Sequence, residues 1–258
     1  MTAFLVGIAQ QEGLLNINNR SSQYLGTGWT SAPLVKENLI TIRHQLTMTS
    51  GLDDGVTDPD CTLPACLIYK ADAPTRWAYH NAAYTLLDKV IETASGSSFN
   101  SFYQQKVRDK IGMNGLWIKT PNSNNVLYSN ARSMARFGLL LLNKGKWDQT
   151  AILSDTKYLN NQMNTSQNLN LSYGYLTWLN GKASSIVPTL QTVFPASLIP
   201  NAPTDMFAAL GKNDQKIYVV PSQKLVIIRI GESAGSVQFA VSGFDNELWG
   251  KLKTIIKF

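Results

Sequence analysis

The sequence predicts an α+β fold of the α/β sandwich type, an antiparallel sheet flanked by helices and accompanied by a mainly helical lobe. Three observations point to it. The middle of the chain carries apolar residues at helical spacing. After Asp205 the character changes to short β-rich runs separated by Gly/Asn/Asp and Pro/Ser/Gln turns. And 258 residues, 44% hydrophobic and 16% charged, suffice for one large domain or two interleaved lobes.

Taken in order, Thr2 to Gln11 has the composition of an apolar helix interior, with no capping residue and no polar lead-in, and Gly13 closes it. A loop rich in Asn, Ser and Gly runs to about Asn38. Leu39 to Thr47 predicts a short helix capped by Thr41 and ended by the turn Thr49-Ser50-Gly51. A Pro- and Asp-rich loop holds Cys61 and Cys66, and Asn81 to Ala94 then places Ala82, Leu86, Leu87, Val90, Ile91 and Ala94 at helical spacing, with Gly96 as the stop. Further helices are expected at Ser98 to Lys110, Ser129 to Asn143 and Ser154 to Asn161. Met206 to Leu210, Lys216 to Val220 and Leu225 to Ile230 predict an antiparallel meander, and Asp245 to Ile256 a closing helix. The expected organisation is an α/β lobe from residues 1–40 and 200–258 and a mainly helical lobe from 41–199.

Charge and composition exclude several classes. The net charge of +6 is spread along the chain, and the longest basic cluster is Lys251-Leu252-Lys253, so no nucleic-acid partner is expected. No apolar run reaches the ~20 residues of a membrane span, and Met1 to Ile8 lacks the basic start and cleavage site of a signal peptide. Cys61 and Cys66 stand close enough for a local disulfide, or are two unpaired thiols. No metal or other cofactor is expected, since His44 and His80 are the only histidines and lie far from the cysteines in sequence.

Two serine patterns are tested and set aside. Gly231-Glu232-Ser233-Ala234-Gly235 matches a nucleophile elbow, yet no histidine follows it, so it is read as a strand-ending loop. Ser154-Asp155-Thr156-Lys157 could place an amine beside a hydroxyl across one helical turn, but a helix-capping serine explains it as well. Tyr79-His80-Asn81 stands where a polar loop meets an amphipathic helix. Its tyrosine could accept a proton, and its asparagine could equally be a simple helix cap.

Trp77-Ala78-Tyr79-His80-Asn81-Ala82-Ala83-Tyr84-Thr85 resembles the second active-site element of the class C β-lactamase and penicillin-binding-protein superfamily, which includes family VIII esterases. Other blocks follow in that family's order. They are Ile40 to Leu52 with its Thr-Ser-Gly turn, Ala131 to Leu140, Gly145-Lys146-Trp147, Gln215 to Ser222 and Leu225 to Arg229. The resemblance implies a β-lactamase/transpeptidase-like fold and a serine hydrolase that forms an acyl-enzyme on a small ester, amide or peptide substrate. It implies a Ser-x-x-Lys nucleophile just upstream of Met1, with the family's first strands also preceding this sequence. The remaining sheet would then expose an unpaired edge. It implies Tyr79 as proton acceptor, with a pKa lowered by neighbouring cations, and Asn81 as a partner of the substrate or the catalytic lysine. The family's Lys-Thr-Gly is absent. Counting back from Pro221, its place falls on Met206-Phe207-Ala208-Ala209, where Ala209 would offer an oxyanion N–H; Gly211-Lys212 is the alternative. That absence weakens a penicillin-specific reading. A periplasmic or secreted location is implied, where a Cys61–Cys66 bridge would be useful. A non-catalytic protein of the same fold that binds a peptide or cell-wall fragment is the rival.

Overall fold

A computed structural model describes residues 1–235 and 241–257. They fall into two compact units, Met1–Ser129 and Asn130–Phe258.

In the first unit, helix α1 (Thr2–Gln11) is buried from Thr2 to Ala9 and has no side-chain cap at its start. Two short helices, α2 (Ser22–Leu25) and α3 (Leu34–Glu37), lie in the following polar stretch. The fully buried Glu37 carboxylate accepts from the N–H groups of Gly28 and Thr30, at 2.8 and 2.9 Å, and from the Thr30 hydroxyl at 2.8 Å. A buried charge is tolerable only when satisfied in this way. Helix α4 (Ile42–Leu46) starts where Thr41 is expected to cap it, with His44 completing a reciprocal capping box. The chain then turns at Thr49-Ser50-Gly51. Gly51 has φ +76°, and a Cβ there would lie 2.0 Å from the carbonyl oxygen of Ala71, so only glycine fits.

The predicted helix at 81–94 is divided at Leu86 into α5 (Asn81–Thr85) and α6 (Leu87–Ser95), and Gly96 ends it in a left-handed conformation. The segment expected as one helix from 98 to 110 is α7 (Phe99–Tyr103) followed by a wider turn over Gln104–Arg108. A hairpin of β1 (Leu116–Lys119) and β2 (Asn125–Tyr128) follows, for which the sequence reading has no counterpart. It is anchored by Trp117, whose ring meets Phe99 at 5.1 Å and whose backbone exchanges two hydrogen bonds with Asn100.

In the second unit, Asn130 caps α8 (Ala131–Leu142). A short ribbon of β3 (Lys146–Trp147) and β4 (Thr150–Ala151) leads to α9 (Thr156–Met163). The main sheet is antiparallel in the order β5 (Trp178–Leu179), β6 (Phe207–Leu210), β7 (Lys216–Val220), β8 (Leu225–Arg229). The last three strands are those predicted, to within a residue. Among the described residues β8 is an edge strand. Gly138 lets α8 approach the sheet closely, since a Cβ there would sit 2.4 Å from Val226. Helix α10 (Gly243–Leu252), boxed by Ser242 and Asp245, closes the unit and buries Trp249 edge-on against Tyr218 at 5.5 Å.

Candidate active site

The candidate residues of the first unit gather at the entry to α5. The Ala78 N–H donates to Met48 O at 2.9 Å and the Ala82 N–H to Pro59 O at 3.1 Å, so the entry is tied on both sides. Gln45 adds a side-chain bond to Ala83 O at 2.6 Å and is itself held by Ser21 at 2.7 Å. The cap of α5 is His80, whose Nδ1 accepts from the Ala83 N–H at 3.4 Å. That corrects the alternative reading of Asn81 as the cap: Asn81 is the first helical residue, and its side chain is used elsewhere. Burial lowers the His80 pKa, with Asp54 and Asp53 opposing and Arg76 adding to the effect. The neutral ring is the form that can cap.

Asn81 donates its NH2 to Asp60 Oδ1 at 2.7 Å. The same oxygen accepts from Asn124 Nδ2 at 2.5 Å, and Asn124 Oδ1 accepts in turn from the Thr85 hydroxyl. Asp60 directly precedes Cys61, which is bonded to Cys66 with a Cα–Cα separation of 5.9 Å. Within this loop the Thr62 N–H donates to Asn122 O at 2.9 Å, so the bridge region, the hairpin turn and the start of α5 share one polar cluster. Asp60 and Asn124 have no place in the sequence reading. The signal that could have drawn attention to Asp60 is a carboxylate beside a cysteine in a loop leading to the helix of interest.

Tyr79 is half-buried, and its ring meets Tyr84 edge-on at 6.2 Å. Desolvation first, and Tyr84 second, raise its phenol well above the ordinary value near 10. The expectation of a lowered value is met by the opposite tendency in these surroundings, because burial penalises phenolate. Tyr84 is likewise pushed up to about 12 by burial and by the charge of Asp60.

The remaining candidates lie in the second unit, on and after β6. Hydrogen bonds in an antiparallel ladder alternate sides along a strand. Gly211 N–H donates to Gln215 O at 2.7 Å and Asn180 N–H to Met206 O at 2.9 Å. With Ala209 opposite Ile217, this alternation turns the Ala209 N–H toward β7, and that of Leu210 to the other side, past the end of β5. Lys212 is exposed in a tight turn in which Asn213 and Asp214 both have φ of 57°.

The turn is clamped from below by a cluster that sequence reasoning missed. Lys216 Nζ lies 3.3 Å from Asp214 and 3.1 Å from Asp245, all three side chains being closed to solvent. Asp214 also accepts from the Ala234 N–H at 2.9 Å and the Ser242 hydroxyl at 2.8 Å. Burial acts to raise its pKa, but Ala234, Ser242 and Lys216 outweigh it and hold the carboxyl below the usual range. The available signal was a lysine opening an otherwise apolar strand.

The two serines set aside in the sequence lie outside regular elements of the second unit. Ser154 lies outside α9, whose cap is Asp155, with Oδ1 accepting from Tyr158 N–H at 2.9 Å, so Ser154 and Lys157 do not share a helical turn and the expected cap moves by one residue. Ser233 donates to Gly235 O at 2.8 Å in the bend after β8.

The family model for beta-lactamase matches residues 1–247. No curated protein has a sequence that matches the chain. A penicillin-binding protein homologue from Caulobacter crescentus superposes with a TM-score of 0.71 at 11% identity, over 99% of this chain and 81% of its own. A beta-lactamase from Mycobacterium bovis does so with a TM-score of 0.62 at 17% identity, over 98% and 81%. A family VIII carboxylesterase gives 0.66 at 14% identity, over 97% and 79%. At such identities the likeness is one of fold.

Proposed function

The chain belongs to the beta-lactamase family, and from that premise we propose that it is the greater part of a serine hydrolase acting through an acyl-enzyme on a small ester or amide. The observation that carries the reading is the entry to α5. There Tyr79 and Asn81 stand half-buried on a backbone held from three sides, with the Asn81 amide fixed by a carboxylate. Fixed polar groups at a helix entry suit chemistry that depends on positioning.

In this scheme the serine and lysine of Ser-x-x-Lys come from residues preceding Met1. The serine hydroxyl attacks the substrate carbonyl and its proton passes to the lysine–Tyr79 pair. The leaving alcohol or amine takes that proton, and water then hydrolyses the ester intermediate by the reverse relay. The raised phenol of Tyr79 makes the lysine's positive charge a requirement, because an opposite charge nearby is what brings a buried phenolate within reach. Within the second unit the N–H of Leu210, rather than that of Ala209, faces away from β7.

The family VIII carboxylesterase among the structural neighbours supports ester substrates, and the absence of Lys-Thr-Gly at Met206-Phe207-Ala208 argues against a penicillin specialist. The disulfide supports a periplasmic or secreted location. A second reading is a non-catalytic protein of the same fold that binds a peptide or cell-wall fragment. Incubating the complete gene product with a fluorophosphonate separates the two. Stoichiometric labelling supports the hydrolase, and no labelling supports the binding protein.

A further inference from the structure

The polar cluster around Asp60 does more than staple a loop. A carboxylate only accepts hydrogen bonds, so both amides that contact Asp60 Oδ1, at 2.7 Å from Asn81 and 2.5 Å from Asn124, present their NH2 groups to it. This fixes the sense of each amide by chemistry. Asn124 uses its other end, with Oδ1 accepting from Thr85. The other end of Asn81 is a carbonyl oxygen on a half-buried side chain at the first residue of α5, two positions from Tyr79.

We infer that Asp60 is a positioning residue for the reaction: by taking the NH2 of Asn81 it leaves Oδ1 as the acceptor that Asn81 offers to the lysine ammonium or to a substrate N–H. Without it the amide can rotate and present a donor, which an ammonium repels. Asp60 is itself held in place. Its own N–H donates to Asp58 Oδ1 at 3.0 Å, Cys61 beside it is tied to Cys66, and Thr62 is bound to Asn122 at 2.9 Å. The disulfide loop and the hairpin turn thus act together as the support that sets which face of one amide meets the substrate. Asp60 touches no reacting atom in this scheme and acts through Asn81. The inference rests on the serine-hydrolase reading above.

The test is a double-mutant cycle in the complete gene product, with 4-nitrophenyl butyrate as substrate and thermal unfolding followed in parallel. Asp60→Ala is expected to lower kcat by about 10- to 100-fold, the scale of a misoriented catalytic partner, with KM changed far less. In an Asn81→Ala background, Asp60→Ala should cost nothing further, because its effect passes through Asn81. Independent, multiplying losses, or a single variant with wild-type kcat, would overturn the assignment while leaving the hydrolase reading intact. A complete wild-type protein that turns over no ester and takes no fluorophosphonate label overturns both. Should Asp60→Ala fail to fold, the exchanged pair Asp60→Asn with Asn81→Asp decides the matter. It keeps the hydrogen bond with the donor reversed and retains an acceptor at 81, so turnover should stand well above that of Asn81→Asp alone, which sets two carboxylates against each other. An exchanged pair as inactive as Asn81→Asp would overturn the inference.

Discussion

Lys216 and Asp245 form an ion pair in the core of the second unit, Nζ to Oδ2 at 3.1 Å, with side chains 0% and 1% exposed. Tyr218 gives its hydroxyl proton to the same aspartate at 2.6 Å, and Ser242 its N–H at 2.9 Å, so the carboxylate is satisfied on every side. Removing the lysine leaves Asp214 and Asp245 buried without their cation. Lys216→Met should therefore destabilise the protein by about 3–5 kcal/mol, whereas Lys251→Met, breaking the exposed Lys251–Glu247 pair, should cost at most about 0.5 kcal/mol. Urea unfolding measures both. Equal shifts of the two midpoints would refute the assignment of Lys216 as a core charge.

His80 gives a pH dependence of definite sign. Burial favours its neutral form, so its folded pKa lies below the ordinary 6.5. Below 6.5 the unfolded chain binds more protons than the folded one. Stability is accordingly full above about 6.5 and is lost as the pH falls toward the folded value. His80→Asn keeps a capping acceptor at the start of α5 and cannot titrate. The melting temperature of that variant should vary less between about pH 7 and about pH 5 than the wild type's. His44, lowered chiefly by its own burial, contributes in the same direction. An unchanged pH profile would show that His80 does not titrate in this range.

Much of the fold was legible because strong periodicity reports burial directly. Phe137, Leu140 and Leu141 fall on the buried side of α8, and Lys216 to Val220 is a strand with the predicted bounds. Thr41 was readable as a cap because its hydroxyl acts within one turn. The β1–β2 hairpin was not, since its anchoring comes from Trp117 and Asn100, seventeen residues apart. The same limit hid the site's support. Tyr79 and Asn81 announce themselves as a motif, but Asp60 is 21 residues away from Asn81 in sequence and Asn124 is 64 from Asp60. No local pattern reports such a pairing. Lys216 misleads in another way, because its partner Asp245 lies 29 residues on, so the sequence shows a charge where only the fold shows its neutralisation.

The Cys61–Cys66 bridge closes a short loop, so its removal should cost about 2 kcal/mol by the loop-entropy relation. The paired Cys61→Ser, Cys66→Ser variant, unfolded in urea beside the oxidised wild type, measures this. Thiol labelling of the unreduced, denatured wild type should find no reactive cysteine. Two labelled thiols would refute the bridge.

Tyr79→Phe keeps the ring and removes only the hydroxyl. Loss of a proton-transfer group typically costs about 100- to 10,000-fold in rate, against about 1 kcal/mol of stability for one hydroxyl. Turnover of an aryl ester by the complete protein should fall by that factor while the melting temperature barely moves. Near wild-type turnover with a clearly lower melting temperature would make Tyr79 a structural residue.

The central claim is that the nucleophile is a serine of a Ser-x-x-Lys pair preceding Met1, acting with Tyr79 and Asn81. Its most direct test is peptide mapping, by mass spectrometry, of the complete gene product after reaction with a fluorophosphonate. The account predicts a single adduct on a serine within about one helical turn before Thr2, followed three residues later by lysine, with Ser154 and Ser233 unmodified. An adduct on Ser154 or Ser233, or a coding sequence with no such pair upstream of Met1, would contradict it.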